Sequence, residues 1–226
     1  MLSKILTSAL FAGFATGIAA AILQFVFVQP VLLHAELYES GALTHFGADV
    51  HSTDQDLGGF DLTRDGLSLL FTVLIYTGYA LIMVGAMAMA SDRDITITVR
   101  SGLIWGIAGF VAVHLAPALG LPPEVPGVAA ADVTPRQIWW FLTVLTAATA
   151  MALVAFGRNW VMWGAAIVLL LAPHLIGAPQ PDSYAGPVPP ELAAEFATRA
   201  LGVGLAAWAL LGLFSAYFWR SETDGG

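Results

Sequence analysis

Six stretches of this chain, at residues 5–33, 67–90, 101–120, 137–156, 160–178 and 196–219, run almost without charge. A bilayer core of about 30 Å asks a helix for about 20 predominantly apolar residues, which these stretches supply. A membrane barrel would instead show short segments of alternating polarity. The pattern predicts an all-α integral membrane protein, a bundle of about six transmembrane helices forming one domain over residues 1–226. Composition agrees: 58% of the 226 residues are hydrophobic and 11% are charged, against about a quarter charged in a soluble domain.

The first stretch resembles a secretory signal at its start, with Lys4 ahead of an apolar run and Ala19, Ala20 and Ala21 behind it. The run continues to Leu33, too far for a signal core, so it reads as an uncleaved helix that Pro30 ends or kinks. Between the fourth and fifth stretches only Gly157, Arg158 and Asn159 intervene, a turn suited to a helical hairpin.

Lys4, Arg93, Arg100, Arg158 and Arg220 fall on one side of the membrane, and Arg64, Arg136 and Arg199 on the other. That bias places both ends in the cytoplasm. Of the sixteen acidic residues, all but Asp92, Asp94, Glu222 and Asp224 then lie on the outer side. A faint internal repeat links Trp105-Gly106…His114-Leu115-Ala116-Pro117…Gly120-Leu121-Pro122 with Trp163-Gly164…Ala172-Pro173-His174-Leu175…Gly177-Ala178-Pro179. Asp61-Leu62-Thr63 echoes Asp132-Val133-Thr134 in the same way. Three successive helical hairpins would produce such a pattern, and repeats of this kind are common in transporters.

With this topology every histidine lies toward the outer side. His34, His114 and His174 sit at the outer ends of the parallel first, third and fifth helices, each with a proline within four residues: Pro30, Pro117 and Pro173. A proline near a helix end frees carbonyls that protein, water or an ion must satisfy. Converging neutral imidazoles suit a first-row divalent cation, and ionisable groups at membrane depth are functional candidates by default. The plainer reading is that each histidine is interfacial and bonds to water or a carbonyl.

The outer loop at 34–66 carries Glu36, His45, Asp49 and His51 among further acidic residues, with Arg64 its one basic residue. Such a loop can raise the local concentration of cations, or it is an ordinary solvated acidic loop. Its spacing matches neither a calcium-binding loop nor a zinc-binding helix motif. Met83 and Met87 share a helix face and read as packing. Trp139 and Trp140 read as interfacial anchors. The pairs Gly13/Gly17 and Gly102/Gly106 have the four-residue spacing of close helix contacts.

Several classes are excluded. The net charge of −8 argues against nucleic acid as a partner. The lack of cysteine removes thiolate sites and thiol catalysis. There is no phosphate-binding loop for ATP and no nucleophile elbow. Transport would not strictly need ATP, since a divalent ion gains about 4.6 kcal/mol per 100 mV of membrane potential.

Three strings carry a resemblance. The run from His114 through Leu115-Ala116-Pro117-Ala118-Leu119-Gly120-Leu121-Pro122-Pro123-Glu124 to Gly127 resembles CbtA, a family of cobalt-transporter subunits. So do Pro173-His174-Leu175-Ile176-Gly177-Ala178-Pro179 and the stretch from Gln29-Pro30 to His34-Ala35-Glu36-Leu37-Tyr38-Glu39. The resemblance implies a multi-pass protein of the cytoplasmic membrane that takes up Co²⁺ for cobalamin synthesis. It also implies a small single-helix partner, CbtB, with a histidine-rich end. It carries no ligand set, so His34, Glu36, His114, Glu124 and His174 are candidates by position and motif, with His45, Asp49 and His51 as collectors in the loop. No resident cofactor and no catalytic step is expected; Co²⁺ is the transported ion, and a homo-oligomer is compatible. The alternatives are a non-conducting accessory subunit that assembles the partner, and a membrane enzyme whose histidines hold a metal or a quinone.

Overall fold

The computed structural model describes residues 1–45, 59 and 61–224. Among these, six helices follow one another: α1 Leu2–Glu39, α2 Leu62–Ser91, α3 Val99–Ala118, α4 Val133–Phe156, α5 Trp160–Ile176 and α6 Pro190–Asp224. All but α5 are long and apolar enough to cross a bilayer. The 17 residues of α5 rise about 25 Å, slightly short of a bilayer core. Gly177 ends α5 because its φ of +90° leaves helical space. Ile82 (74% exposed) and Leu175 (84%) typify an apolar outer surface that suits hydrocarbon.

Pro30 neither ends nor breaks α1, which runs on to Glu39. Proline has no N–H and collides with the carbonyl four residues before it. For Pro30 that residue is Val26, and for Pro117 in α3 it is Val113. Both lie inside π turns, at Gln24–Val28 and Val111–Leu115. The wider register of a π turn directs a carbonyl five residues on, past the proline, and so keeps each helix continuous. One consequence is that His34, Glu36 and Glu39 are helical, not part of a loop. Asp49 and His51 lie outside the described residues.

The chain divides into two compact units. The first holds Met1–Val26, Gly58–Phe110 and Gly202–Gly226; the second holds Phe27–Leu57 and Val111–Leu201. In α1 and α3 the division falls within, or at the start of, the π turn.

Glycine sets the packing of the first unit. A Cβ on Gly13 would overlap the α2 backbone at Thr77, and one on Gly17 would come within 2.5 Å of the Val73 Cα. On α3, a Cβ on Gly102 would lie 2.5 Å from the Gly212 carbonyl of α6, and one on Gly106 would overlap the Trp208 carbonyl. Both four-residue glycine pairs are therefore sites of close backbone approach, as their spacing suggests. Met83 and Met87 are buried, in keeping with the packing reading.

At the start of α2, the Asp61 carboxylate accepts from the Arg64 N–H (2.7 Å), and the Asp65 carboxylate accepts from the Asp61 N–H (2.9 Å). The Arg64 guanidinium pairs with Asp65 at 2.8 Å. These acidic residues cap a helix, whose first N–H groups otherwise lack partners. Asp65→Ala is expected to destabilise the protein by about 1–2 kcal/mol, in the range of a lost cap. Thermal unfolding in detergent checks this, and an unchanged midpoint would show the cap to be dispensable.

In the second unit, Ala112 and Ala116 of α3 are buried against Ala147 of α4, with Leu170 of α5 beside them. The turn between α4 and α5 is closed by Asn159, whose side chain accepts from the Met162 N–H at 3.0 Å. Asp132 occupies the N-cap position of α4, as Asp61 does for α2, though without a side-chain capping bond.

Candidate metal entrance

All described histidines, His34, His45, His114 and His174, belong to the second unit, as do Glu36 and Glu124. The three sequence strings that carry His34, Glu36, His114, Glu124 and His174 pack in series, the first on the second and the second on the third. Ala35, next to His34, is fully buried against Val125 and Val188, with Tyr38 and Phe196 around them. Gly127 has a φ of +77°, and a Cβ there would meet the Glu39 Cγ at 3.1 Å and the Pro187 Cγ at 3.3 Å. The second and third strings meet where a Cβ on Gly120 would lie 2.8 Å from the Ala178 Cβ. A backbone bond from the Ala129 N–H to the Ala185 carbonyl (2.8 Å) ties the α3–α4 and α5–α6 connections together.

The start of α4 holds both of these strings. The Arg136 guanidinium donates to the Glu124 carboxylate at 2.6 Å. One turn on, the Trp139 indole N–H donates to the Pro173 carbonyl at 3.1 Å. The Trp139 and His174 rings make a T-shaped contact, with centres 5.9 Å apart, and the Trp139 ring fills the space beside Gly120. Trp139 is thus a buried clamp and not an interfacial anchor: its indole has an N–H to satisfy and finds a carbonyl inside the unit.

The individual side chains are less gathered than the strings. His34 shares its helix face with Tyr38, with ring centres 5.6 Å apart. Glu36 is exposed and lies about 200° around the helix from His34, so the two do not face one cation together. His114 is half-buried on the π turn of α3, on the side away from Ala112 and Ala116. His45 is half-buried beyond the end of α1. Among the described residues no three histidine or acidic side chains converge as a metal-binding group. An open pocket of about 250 Å³, lined by Leu121, Val133, Arg136, Gln137 and Trp140, has no histidine or carboxylate in its wall. It offers a cation no ligand of the expected kind.

A set of separated imidazoles and carboxylates can exchange one or two of a cation's waters at a time. It cannot strip the whole hydration shell as a closed site does. Conduction favours that arrangement, because an ion held too tightly does not leave. Within the second unit, the Arg199 guanidinium of α6 donates to the Phe27 carbonyl in the π turn of α1 at 3.1 Å and pairs with Glu195 at 2.5 Å.

Five helices long and apolar enough to cross a bilayer among the described residues define a multi-pass helical membrane protein. The sequence profile of the family described as "Probable cobalt transporter subunit (CbtA)" matches residues 2–220. The chain belongs to that family, and the resemblance of its three strings is borne out. No curated protein and no solved structure matches it.

Proposed function

We propose that the chain is the membrane-embedded component of a cobalt-uptake system of the cytoplasmic membrane, with both ends inside. Co²⁺ is collected by the loop that carries His45, Asp49 and His51. It then passes from His34 and Glu124 to His114 and His174, and inward to supply cobalamin synthesis. The partner is CbtB, a single helix whose histidine-rich end hands ions on or receives them. The observation that carries this reading is the packing of the three histidine-bearing strings in one unit of a cobalt-transporter family member. Glu36, pointing elsewhere than His34, contributes charge at the mouth and not a shared ligand.

Radioactive cobalt uptake tests it, in cells expressing the chain, its partner, both or neither. Uptake that needs the chain and falls in its histidine variants supports a conducting role. Uptake by the partner alone at the full rate would overturn it. One observation favours a second reading, that the chain assembles the partner without conducting: the lack of a chelating group among the described residues. Under that reading the chain is required, yet no histidine in it is.

Arg136 competes with any cation for Glu124. Arg136→Gln is expected to lower the KM for cobalt about two- to fivefold, the scale of an exposed ion pair worth ~0.5–1 kcal/mol. Glu124→Gln should raise it. A cobalt saturation curve for each variant, at matched protein level, checks both signs.

A further inference from the structure

We infer that Trp139 is a positioning residue for His174, fixing the imidazole in the orientation from which it can bind a divalent cation; this rests on the reading of His174 as a cation ligand. Three independent contacts meet at this one side chain. Its indole N–H donates to the carbonyl of Pro173, the residue directly before His174, at 3.1 Å. Its ring meets the imidazole in a T-shaped contact, with ring centres 5.9 Å apart. Its far edge is held by Gly120, where a Cβ would come within 2.7 Å of the Trp139 Cη2.

The last turn of a helix ends in carbonyls without helical partners. The Pro173 carbonyl accepts from Gly177 N–H at 3.0 Å as well as from the indole. The indole bond therefore ties the end of α5 to α4 at the point where His174 departs. Pro173 itself is buried, and the bond is made away from the surface. A ligand histidine depends on outer contacts that fix its ring, and loss of such a contact lowers metal affinity without removing the ligand. Trp139 supplies that through a backbone bond and a T-shaped ring contact, where a carboxylate often serves in soluble sites.

The geometry also accounts for Gly120 in the second string. Any side chain there would displace the Trp139 ring, so the string and the clamp are one device.

The test is cobalt uptake in cells carrying the whole transporter, with KM and maximal rate read separately for Trp139→Phe, Gly120→Ala and His174→Ala. Trp139→Phe keeps an aromatic ring and removes the N–H. It is expected to raise KM about tenfold, the low end of the 10–100-fold loss seen when such supporting contacts are removed, with the maximal rate per folded molecule within about twofold. Gly120→Ala keeps the indole and shifts its ring, and should raise KM in the same direction by less. A merely structural role would lower protein level and maximal rate and leave KM alone. If Trp139→Phe does not accumulate, Gly120→Ala decides. An unchanged KM in the accumulating variant, with a raised KM in His174→Ala, overturns the positioning role alone. An unchanged KM in His174→Ala overturns the functional reading of His174 and this inference with it.

Discussion

Gly212→Val is expected to leave almost no folded protein. Gly212 faces Gly102 and Gly106 across the α3–α6 contact, and a Cβ at Gly212 would overlap the Gly102 carbonyl and lie 2.6 Å from the Gly106 nitrogen. Those are backbone atoms in the middle of a helix, which cannot rotate away as a side chain tip can. Overpacking typically costs ~1–3 kcal/mol and occasionally more, and here relief requires moving whole helices apart. In a membrane the loss is compounded, because close backbone contact is a main source of helix association when lipid is as apolar as the side chains. Gly212→Ala should lower the unfolding midpoint, and Gly212→Val should remove the monodisperse peak in detergent chromatography. Gly202→Ala, on the same helix but with open space around its Cβ position, should be neutral or stabilising through helix propensity. Equal behaviour of Gly202→Ala and Gly212→Ala would mean that the α3–α6 approach is not what holds this unit together.

The glycine contacts were legible in the sequence because their spacing is local, and so were the apolar spans. The C-terminal end of α1 was not. From Pro30 a stop or a kink is the natural expectation, yet the chain inserts a π turn and continues to Glu39. Nothing in Gln24–Val28 announces that turn, since it answers a steric problem that exists only once the helix is built. The same holds at Val111–Leu115 before Pro117. The histidine-bearing strings could be recognised one by one, but their mutual packing through Ala35, Val125, Gly120 and Ala178 depends on tertiary contacts far apart in the chain. Trp139 was misplaced for a related reason. A tryptophan near a helix start in a membrane protein reads as an interfacial anchor, and only the Pro173 carbonyl, far along the sequence, shows where its N–H is satisfied. Convergence of His34, His114 and His174 on one ion was the sharpest expectation. The strings meet, but the described side chains do not form a chelating group.

That difference decides what the histidine variants should do. In a chelating site, loss of any one imidazole would abolish binding. In a series of separate stations, each variant raises one barrier and leaves the others. His114→Ala and His174→Ala are each expected to lower cobalt uptake at least about tenfold, since removing a ligand exceeds the removal of its supporting contacts. His114 stands on the π turn of α3 and is half-buried, where few waters can take its place. His45→Ala and Glu36→Gln should have smaller effects, because Glu36 is exposed and His45 lies beyond the end of α1, where solvent substitutes for a lost ligand. The double variant of His114 and His174 separates the two arrangements. Barriers crossed in series add as resistances, so the double variant should keep uptake within about twofold of the lower single variant, where a chelating site would show none. Initial uptake rates at several cobalt concentrations, with protein level measured in the same membranes, give the comparison. Full uptake in both single variants would leave the chain as an assembly subunit and move the ion's route to its partner.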